Sequence, residues 1–255
     1  YEIPEGKRAT KGKSIMNFLP LSAEESVTSV LAVPKGSAFD ASSVIFVTEA
    51  GAVKKLAARS FAGVRRSGII AINLKKGLPA QAGDTLISAH LAGAGDTVSI
   101  VTAKGQSIRF ETENLREMGR AAGGVRGMSV KKGDRVVSAE VISAGAKDVS
   151  LLVIMSRGYG KRTKLSEYKV QGRGGSGIKT AQVTAKTGEI IGARIIVGLP
   201  VQAGNLGNEE LVVISKKGQV IRTSMSGIPL LSRATQGVRV MKLYPGDSIA
   251  SMVAL

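Results

Sequence analysis

At 255 residues, 43% of them apolar, the chain can bury a substantial core and has a length that single all-β domains often reach. Its 36 lysines and arginines exceed its 19 acidic residues by 17, so its surface field is strongly positive and suits a polyanion, nucleic acid before an anionic membrane. With no cysteine, disulfides, thiolate metal sites and cysteine nucleophiles are excluded and a cytoplasmic setting is compatible. No apolar run approaches the roughly 18 residues a membrane span needs, since Ile190 to Val201 is broken by Arg194. Tyr1 to Lys13 has no apolar signal core, and the start at Tyr1 suggests an excised fragment.

In chain order, RATKGKSIMNFL from Arg8, centred on Gly12, and SVTSVLAV after Glu25 are the later part of a unit that then recurs in full. Four segments share the form apolar run, polar residues, glycine, basic strand: VIFVTEAGAVKKL from Val44, VSIVTAKGQSIRF from Val98, LLVIMSRGYGKRT from Leu151 and LVVISKKGQVIRT from Leu211. Their turn glycines are Gly51, Gly105, Gly158 and Gly218. A second glycine follows each (Gly68, Gly124, Gly177 and Gly237), and an acidic turn residue (Asp84, Asp134, Glu189 or Asp247) then leads into a short apolar strand. The chain thus divides into a partial unit over about 1–33 and full units over about 38–91, 92–144, 145–200 and 201–255.

Each unit reads as a hairpin closed by a glycine turn, a connecting loop and two more strands. A four-stranded unit cannot cover both its faces alone, whereas units set radially cover one another, which is the logic of a propeller blade. The expected fold is therefore an all-β propeller of repeated four-stranded blades. Single helical turns are expected at Ser60 to Arg66 or Thr112 to Met118.

The motifs that suggest small-molecule chemistry fail on context. Gly12-Lys13-Ser14 lacks the upstream glycine of a nucleotide-binding loop, because Lys7 stands there, and it matches RATQGVRVMKL from Arg233 in the repeat. Gly172, Gly174 and Gly177 satisfy a dinucleotide fingerprint, but the residues after them alternate like a strand. His90, the single histidine, ends a strand-like run and reads as structural, so no catalytic residue and no metal site are expected. QGRGGSG, Gln171 to Gly177, is either a blade-connecting loop or a loop whose N–H groups and arginine meet phosphates. Its neighbours Lys161, Arg162, Lys164, Lys169 and Lys179 favour DNA.

Basic residues recur at equivalent places. Lys54 and Lys55, Arg109, Lys161 and Arg162, and Arg222 follow the first glycine, and Arg65 and Arg66, Arg120, Arg173 and Arg233 precede the second. With Lys11, Lys13, Arg126, Lys164, Lys179 and Arg239 they form the expected DNA-binding set. Radial repetition would place them around one rim, where a bent duplex is held through its phosphates. Aromatics at 4%, with no tryptophan, argue against stacking on unpaired bases.

Over nearly its whole length the chain resembles the C-terminal domain of the A subunit of DNA gyrase, a type IIA bacterial topoisomerase. The resemblance lies in YEIPEGKRATKGKSIMNFLPL, MGRAAGGVRGMSVKKGDRVVS, RGYGKRTKLSEY and SRATQGVRVMKL. It implies a six-bladed β-pinwheel with swapped strands, about five blades of it present here, that wraps duplex DNA around a basic perimeter and biases strand passage towards negative supercoiling. It also implies a monomeric, non-catalytic domain without a cofactor of its own, in a bacterial, cytoplasmic, nucleoid-associated enzyme. ATP and Mg are used by other domains, and the partners are the remainder of the gyrase A subunit and the gyrase B subunit. The family's catalytic tyrosine and metal-binding carboxylates lie in those other domains, so Tyr1, Tyr159, Tyr168 and Tyr244 inherit no such role. The family's gyrase box, roughly Gln-Arg-Arg-Gly-Gly-Lys-Gly, belongs to the first blade, and the resemblance implies that this chain begins within the second. Gln171, Gly172, Arg173, Gly174, Gly175, Ser176 and Gly177 form a degenerate relative of it, with Gly172 and Ser176 in place of basic residues. The alternatives are the corresponding domain of topoisomerase IV and a propeller that binds protein or an acidic polymer.

Overall fold

The structure is a computed structural model that describes residues 12–14, 17–19, 21, 25–33, 39–64, 67–75, 83–198 and 209–255. Its strands form antiparallel sheets, each built on one of the glycine-turn hairpins. In the first blade β1 (Ser43–Thr48) pairs with β2 (Ala52–Ala57) and with β3 (Leu86–Ala92). The second uses β4 (Thr97–Thr102), β5 (Gln106–Glu111) and β7 (Val136–Ile142), and the third β8 (Val149–Met155), β9 (Tyr159–Lys164) and β11 (Ile190–Val197). The fourth holds β12 (Glu210–Ser215), β13 (Val220–Ser224) and β15 (Ile249–Ala254).

The fourth strand of each of the first three blades comes from the following repeat. β6 (Val125–Arg126) crosses back to pair with β2, β10 (Ile178–Lys179) with β5, and β14 (Val238–Arg239) with β9. The two glycines of the repeat make this exchange possible. The carbonyl of Gly51 accepts the N–H groups of Gly127 and Met128, Gly105 accepts Thr180, and Gly158 accepts Val240 and Met241. A Cβ on the turn glycine would stand 2.7 Å from Met128 O at Gly51 and 2.6 Å from Ala181 O at Gly105, and closer still to Met241 O at Gly158. The second glycine is tight from the other side: a Cβ on Gly124 would stand 2.6 Å from Val53 O. Only hydrogen fits where two backbones approach this closely.

Between blades the apolar faces interlock. One core joins Ile45 and Val53 of the first blade to Ile100, Ile108 and Phe110 of the second, another joins Val101 to Leu151, Val153 and Tyr159, and a third joins Leu152 and Ile154 to Leu211, Val213 and Met241. The middle strands β1, β4 and β8 are consequently buried at every position. β12 alternates buried and half-buried residues, because among the described residues only its third-blade side is covered. The innermost strands pack in the order β3, β7, β11, β15, with backbone bonds from Val136 N to Glu49 O, Ile190 N to Ala103 O and Ile249 N to Ser156 O (2.8–2.9 Å) crossing each boundary.

In three of the four repeats the acidic turn residue fastens the hairpin turn to the start of its inner strand. Asp84 Oδ1 accepts the N–H groups of Ala50 and Thr85, Asp134 those of Lys104 and Arg135, and Asp247 those of Lys217 and Ser248. In the third repeat Arg157 N instead donates to Thr187 O at 3.0 Å, and Glu189 pairs at 3.0 Å with Arg135 of the neighbouring blade. The expected helical turns are 3-10 turns at Ala58–Phe61 and Thr112–Asn114, with counterparts at Leu165–Glu167 and Met225–Gly227.

The exchange separates two glycines of identical local conformation. Gly158 (φ +81°) lies under Met241 O, whereas among the described residues no atom stands within 4 Å of a Cβ on Gly218 (φ +84°). Gly218→Ala is expected to cost about 1–2 kcal/mol for the left-handed backbone alone, and Gly158→Ala about 2–4 kcal/mol because the exchanged strand must also move. Urea unfolding of the two variants measures the difference; equal losses would mean that the strand is not held there.

Candidate nucleic-acid interface

The basic residues of the hairpins divide by strand parity. Three positions after the turn glycine the side chain faces the neighbouring blade, and the repeats place Lys54, Ile108, Lys161 and Ile221 there. Lys54 and Lys161 are fully buried. Lys54 Nζ donates to the carbonyls of Ala71, Arg120 and Ala122 at 2.7–2.9 Å, and Lys161 Nζ to Ser232 O and Arg233 O at 2.6 Å and Thr235 Oγ1 at 3.1 Å. Burial lowers both pKa values, Lys161 to about 8, so at neutral pH it keeps the three protons its acceptors use. The expectation that Lys54 and Lys161 contact DNA is therefore corrected: each ammonium is enclosed and clasps the loop through which the next repeat delivers its exchanged strand, Lys54 joining that loop to Ala71 of its own repeat.

One position further on, Lys55, Arg109, Arg162 and Arg222 are at least partly exposed but tied down. Lys55 Nζ lies 3.5 Å from Thr112 O, Arg109 Nε donates to Thr97 Oγ1 at 3.0 Å, Arg162 Nε to Ile228 O at 2.8 Å, and Arg222 pairs with Glu210. Arg109, Arg162 and the exposed Lys164 border one crevice between the second and third blades. Lys13 is exposed, and Lys11, Arg65 and Arg66 lie outside the described residues.

The outermost, exchanged strands carry a different set. Arg126, Lys179 and Arg239 each stand two positions after the second glycine and are exposed on the blade edge. Arg120, Arg173 and Arg233 stand four positions before it, in the loop that laps onto the preceding blade. Arg173 Nη1 donates to Arg126 O at 3.2 Å, and Arg233 Nη1 to Lys179 O at 3.1 Å. Arg126, Arg173, Lys179, Arg233 and Arg239 thus follow one another across blade boundaries, with Arg120 on the loop before them.

Within Gln171 to Gly177 the backbone is largely occupied by docking. Gln171 N donates to Arg109 O, Gly174 N to Gly127 O, and Gly175 O accepts Ser129 N. Gly177 packs its α-carbon against Ser107 O as the exchanged strand begins. Gly172, Arg173, Gly175 and Ser176 remain exposed. His90 lies on β3 opposite Ile45, with its pKa lowered by burial against a backbone hydrogen bond to Ala139 that raises it. Among the described residues no group of three His, Cys, Asp or Glu side chains could hold a metal ion, and no helix is long and apolar enough to cross a membrane.

Sequence reasoning missed Tyr159. The exchange register sets the outer-strand cation opposite the residue after the turn glycine, pairing Arg126 with Ala52, Lys179 with Gln106 and Arg239 with Tyr159. The Tyr159 ring has Lys186 Nζ at 5.7 Å and the Arg239 guanidinium at 5.8 Å from its centre. The signal was the tyrosine itself at that repeat position, but its partner emerges only once the strand is exchanged.

Fold and rim together define a strand-exchanged β-propeller with a basic outer edge. A family model described as DNA gyrase C-terminal domain, beta-propeller matches residues 1–34, 42–77, 96–143, 150–196 and 209–255. The chain belongs to this family. It is 40% identical over 254 residues to the DNA gyrase A subunit of Mycolicibacterium smegmatis, covering 99% of this chain and 28% of that protein. The corresponding protein of Mycobacterium tuberculosis is 37% identical over 254 residues (99% and 28%), and that of Staphylococcus epidermidis 36% over 252 residues (99% and 26%). The chain thus spans little more than a quarter of the length of these curated relatives. In fold it is similar to a solved DNA gyrase A C-terminal domain (TM-score 0.78, 22% identity, 96% of this chain and 75% of that one). It is also similar to the C-terminal domain of DNA topoisomerase IV (TM-score 0.81, 24% identity, 96% and 70%).

The division of the lysines is testable. Lys161→Met removes the donor from Arg233 O and Thr235 Oγ1 and leaves Ser232 O only its bonds from Thr235, and it is expected to cost about 2–4 kcal/mol in urea unfolding. The salt dependence of duplex binding by the folded variant should not change. A shallower salt slope would return Lys161 to the DNA-contacting set.

Proposed function

We propose that this domain binds duplex DNA along the outer edge of its blades, without reading sequence, and bends it around the propeller. The observation that carries the proposal is the row of cations on the exchanged strands and overlapping loops. Arg120, Arg126, Arg173, Lys179, Arg233 and Arg239 recur at fixed repeat positions and follow the curve of the blades. Phosphates are the groups such a row can hold in common, and guanidinium forks suit their oxygens. Bending a site of 20–30 base pairs costs about 1–6 kcal/mol, so contacts must be distributed along the path, which a repeated edge supplies. Preference among sequences then follows deformability rather than base edges.

In the full enzyme this reading makes the domain the wrapping element of gyrase, presenting a crossover to the catalytic remainder of the A subunit and to the B subunit and so favouring negative supercoiling. Catalysis, with its ATP and Mg, belongs to those parts, and the domain works with the enzyme in the bacterial cytoplasm on the nucleoid. The names of the sequence relatives support this reading over a topoisomerase IV protein, while the fold is shared by both.

If six phosphates are neutralised, the logarithm of the binding constant should fall with the logarithm of salt at a slope near −5. Replacing Arg126, Lys179 and Arg239 together by alanine should reduce that slope by about three, equally for unrelated sequences. Replacing the exposed Lys131 and Lys132 should change it by less than one. The triple variant should also shift the linking number of a religated relaxed circle less than the parent chain does. An unchanged slope in the triple variant would remove the edge from the DNA path.

A further inference from the structure

Behind Arg239 the outer edge gives way to an open recess of about 770 Å³ between the third blade and the loop before β15. Its lining includes Arg157, Tyr159, Lys186, Arg239, Lys242 and Tyr244. Tyr159 forms an almost buried floor, while the four cations and Tyr244 are exposed. Among the described residues none of these four cations has a carboxylate partner, in contrast to Arg135, Arg194, Arg222 and Arg233 elsewhere on the molecule. The carboxylate in the lining, Asp247, is held by Ser215 Oγ at 2.6 Å and by the N–H groups of Lys217 and Ser248. Arg239 Nη2 reaches Tyr159 Oη at 3.4 Å, and this bond, with the nearby Lys186 charge, lowers the phenol pKa. Four like charges around one aromatic floor repel one another, and an anion entering the recess relieves that repulsion.

We propose that this recess is a binding site for a compact phosphate chain, a di- or triphosphate, separate from the duplex path but sharing Arg239 with it. Its size suits a small ligand, and beside Arg239 of the exchanged strand it is lined by Arg157 and Lys186, which that strand does not carry. A phosphate chain concentrates several charges within that space, which a single phosphodiester of a duplex does not. Because Arg239 also stands at the end of the cation row, a bound chain competes with DNA there. That competition rests on the proposed DNA path, while the phosphate site itself does not.

The test uses the whole 255-residue chain, whose fluorescence comes from tyrosine because it has no tryptophan. Inorganic tripolyphosphate should alter that fluorescence and bind with one-to-one stoichiometry by calorimetry, more tightly than sulfate at equal ionic strength. Arg157→Ala with Lys186→Ala should weaken tripolyphosphate about tenfold or more. The same variant should retain its melting temperature and, within about twofold, its duplex affinity. ATP compared with tripolyphosphate separates the sources of the chain: tighter ATP binding that Tyr244→Ala abolishes identifies a nucleotide, and equal binding an inorganic chain, both consistent with the site. Tripolyphosphate binding no tighter than sulfate, or unaffected by the double substitution, would overturn the proposal. So would equal loss of duplex and tripolyphosphate in that variant, which would make the recess part of the DNA path. A parent chain that binds tripolyphosphate but no duplex would leave this site standing and sink the proposed DNA path.

Discussion

Every blade boundary depends on the approach of one repeat's short strand to the hairpin of the repeat before it. At Gly158 and Gly237 the two backbones meet where a methyl group would overlap a carbonyl oxygen, so the pairing of β14 with β9 requires glycine on both sides. The same pair of contacts recurs at Gly51 with Gly124 and at Gly105 with Gly177. Because the exchanged strand is only two residues long, its ladder bonds alone would hold it weakly. The bonds to the turn-glycine carbonyls and the cores between blades complete the attachment. Exchange thus ties neighbours through backbone as well as apolar contact, and the outer edge of each of the first three blades belongs to the next repeat.

That constraint explains two buried lysines whose ammonium groups bond mainly to backbone carbonyls. A loop crossing from one repeat to the hairpin of another leaves carbonyls without strand partners, and a buried carbonyl without a donor is costly. Lys161 supplies three donors at such a crossing and Lys54 two, its third going to Ala71 O of its own repeat. The repeats with Ile108 and Ile221 at the same position meet the need differently: Ile108 joins the core between the first and second blades, and Ile221 is only partly buried. The repeat therefore keeps geometry more strictly than chemistry, and one position serves as a polar clasp in one blade and as packing in the next.

Placing the outer strand in the neighbour's blade also brings cations from different repeats together. Arg173 rests on the backbone of Arg126 although 47 positions separate them, and Arg233 on that of Lys179. In an unexchanged propeller each blade would carry its own edge charges, with gaps between blades. Here the overlap runs across the boundaries, which suits a polyanion whose charge is continuous. The same register sets Arg239 on Tyr159 beside the recess, so the edge row and the recess share Arg239 through one structural cause.

The sequence by itself determined the repeat, the strands, the hairpin turns and the propeller class, because short apolar runs, turn glycines and acidic residues at fixed spacing are local signals with local causes. It also marked the outer-edge arginines, whose positions relative to the second glycine are constant. It could not separate Lys54 from Lys55, or Lys161 from Arg162, since neighbouring basic residues on a strand look alike until one face is covered. Nor did it reveal that Tyr159 lies against Arg239, 80 positions away. Those distinctions belong to the tertiary structure alone, because the strand and loop that bury one lysine, expose its neighbour and carry the arginine to the tyrosine arrive from the following repeat.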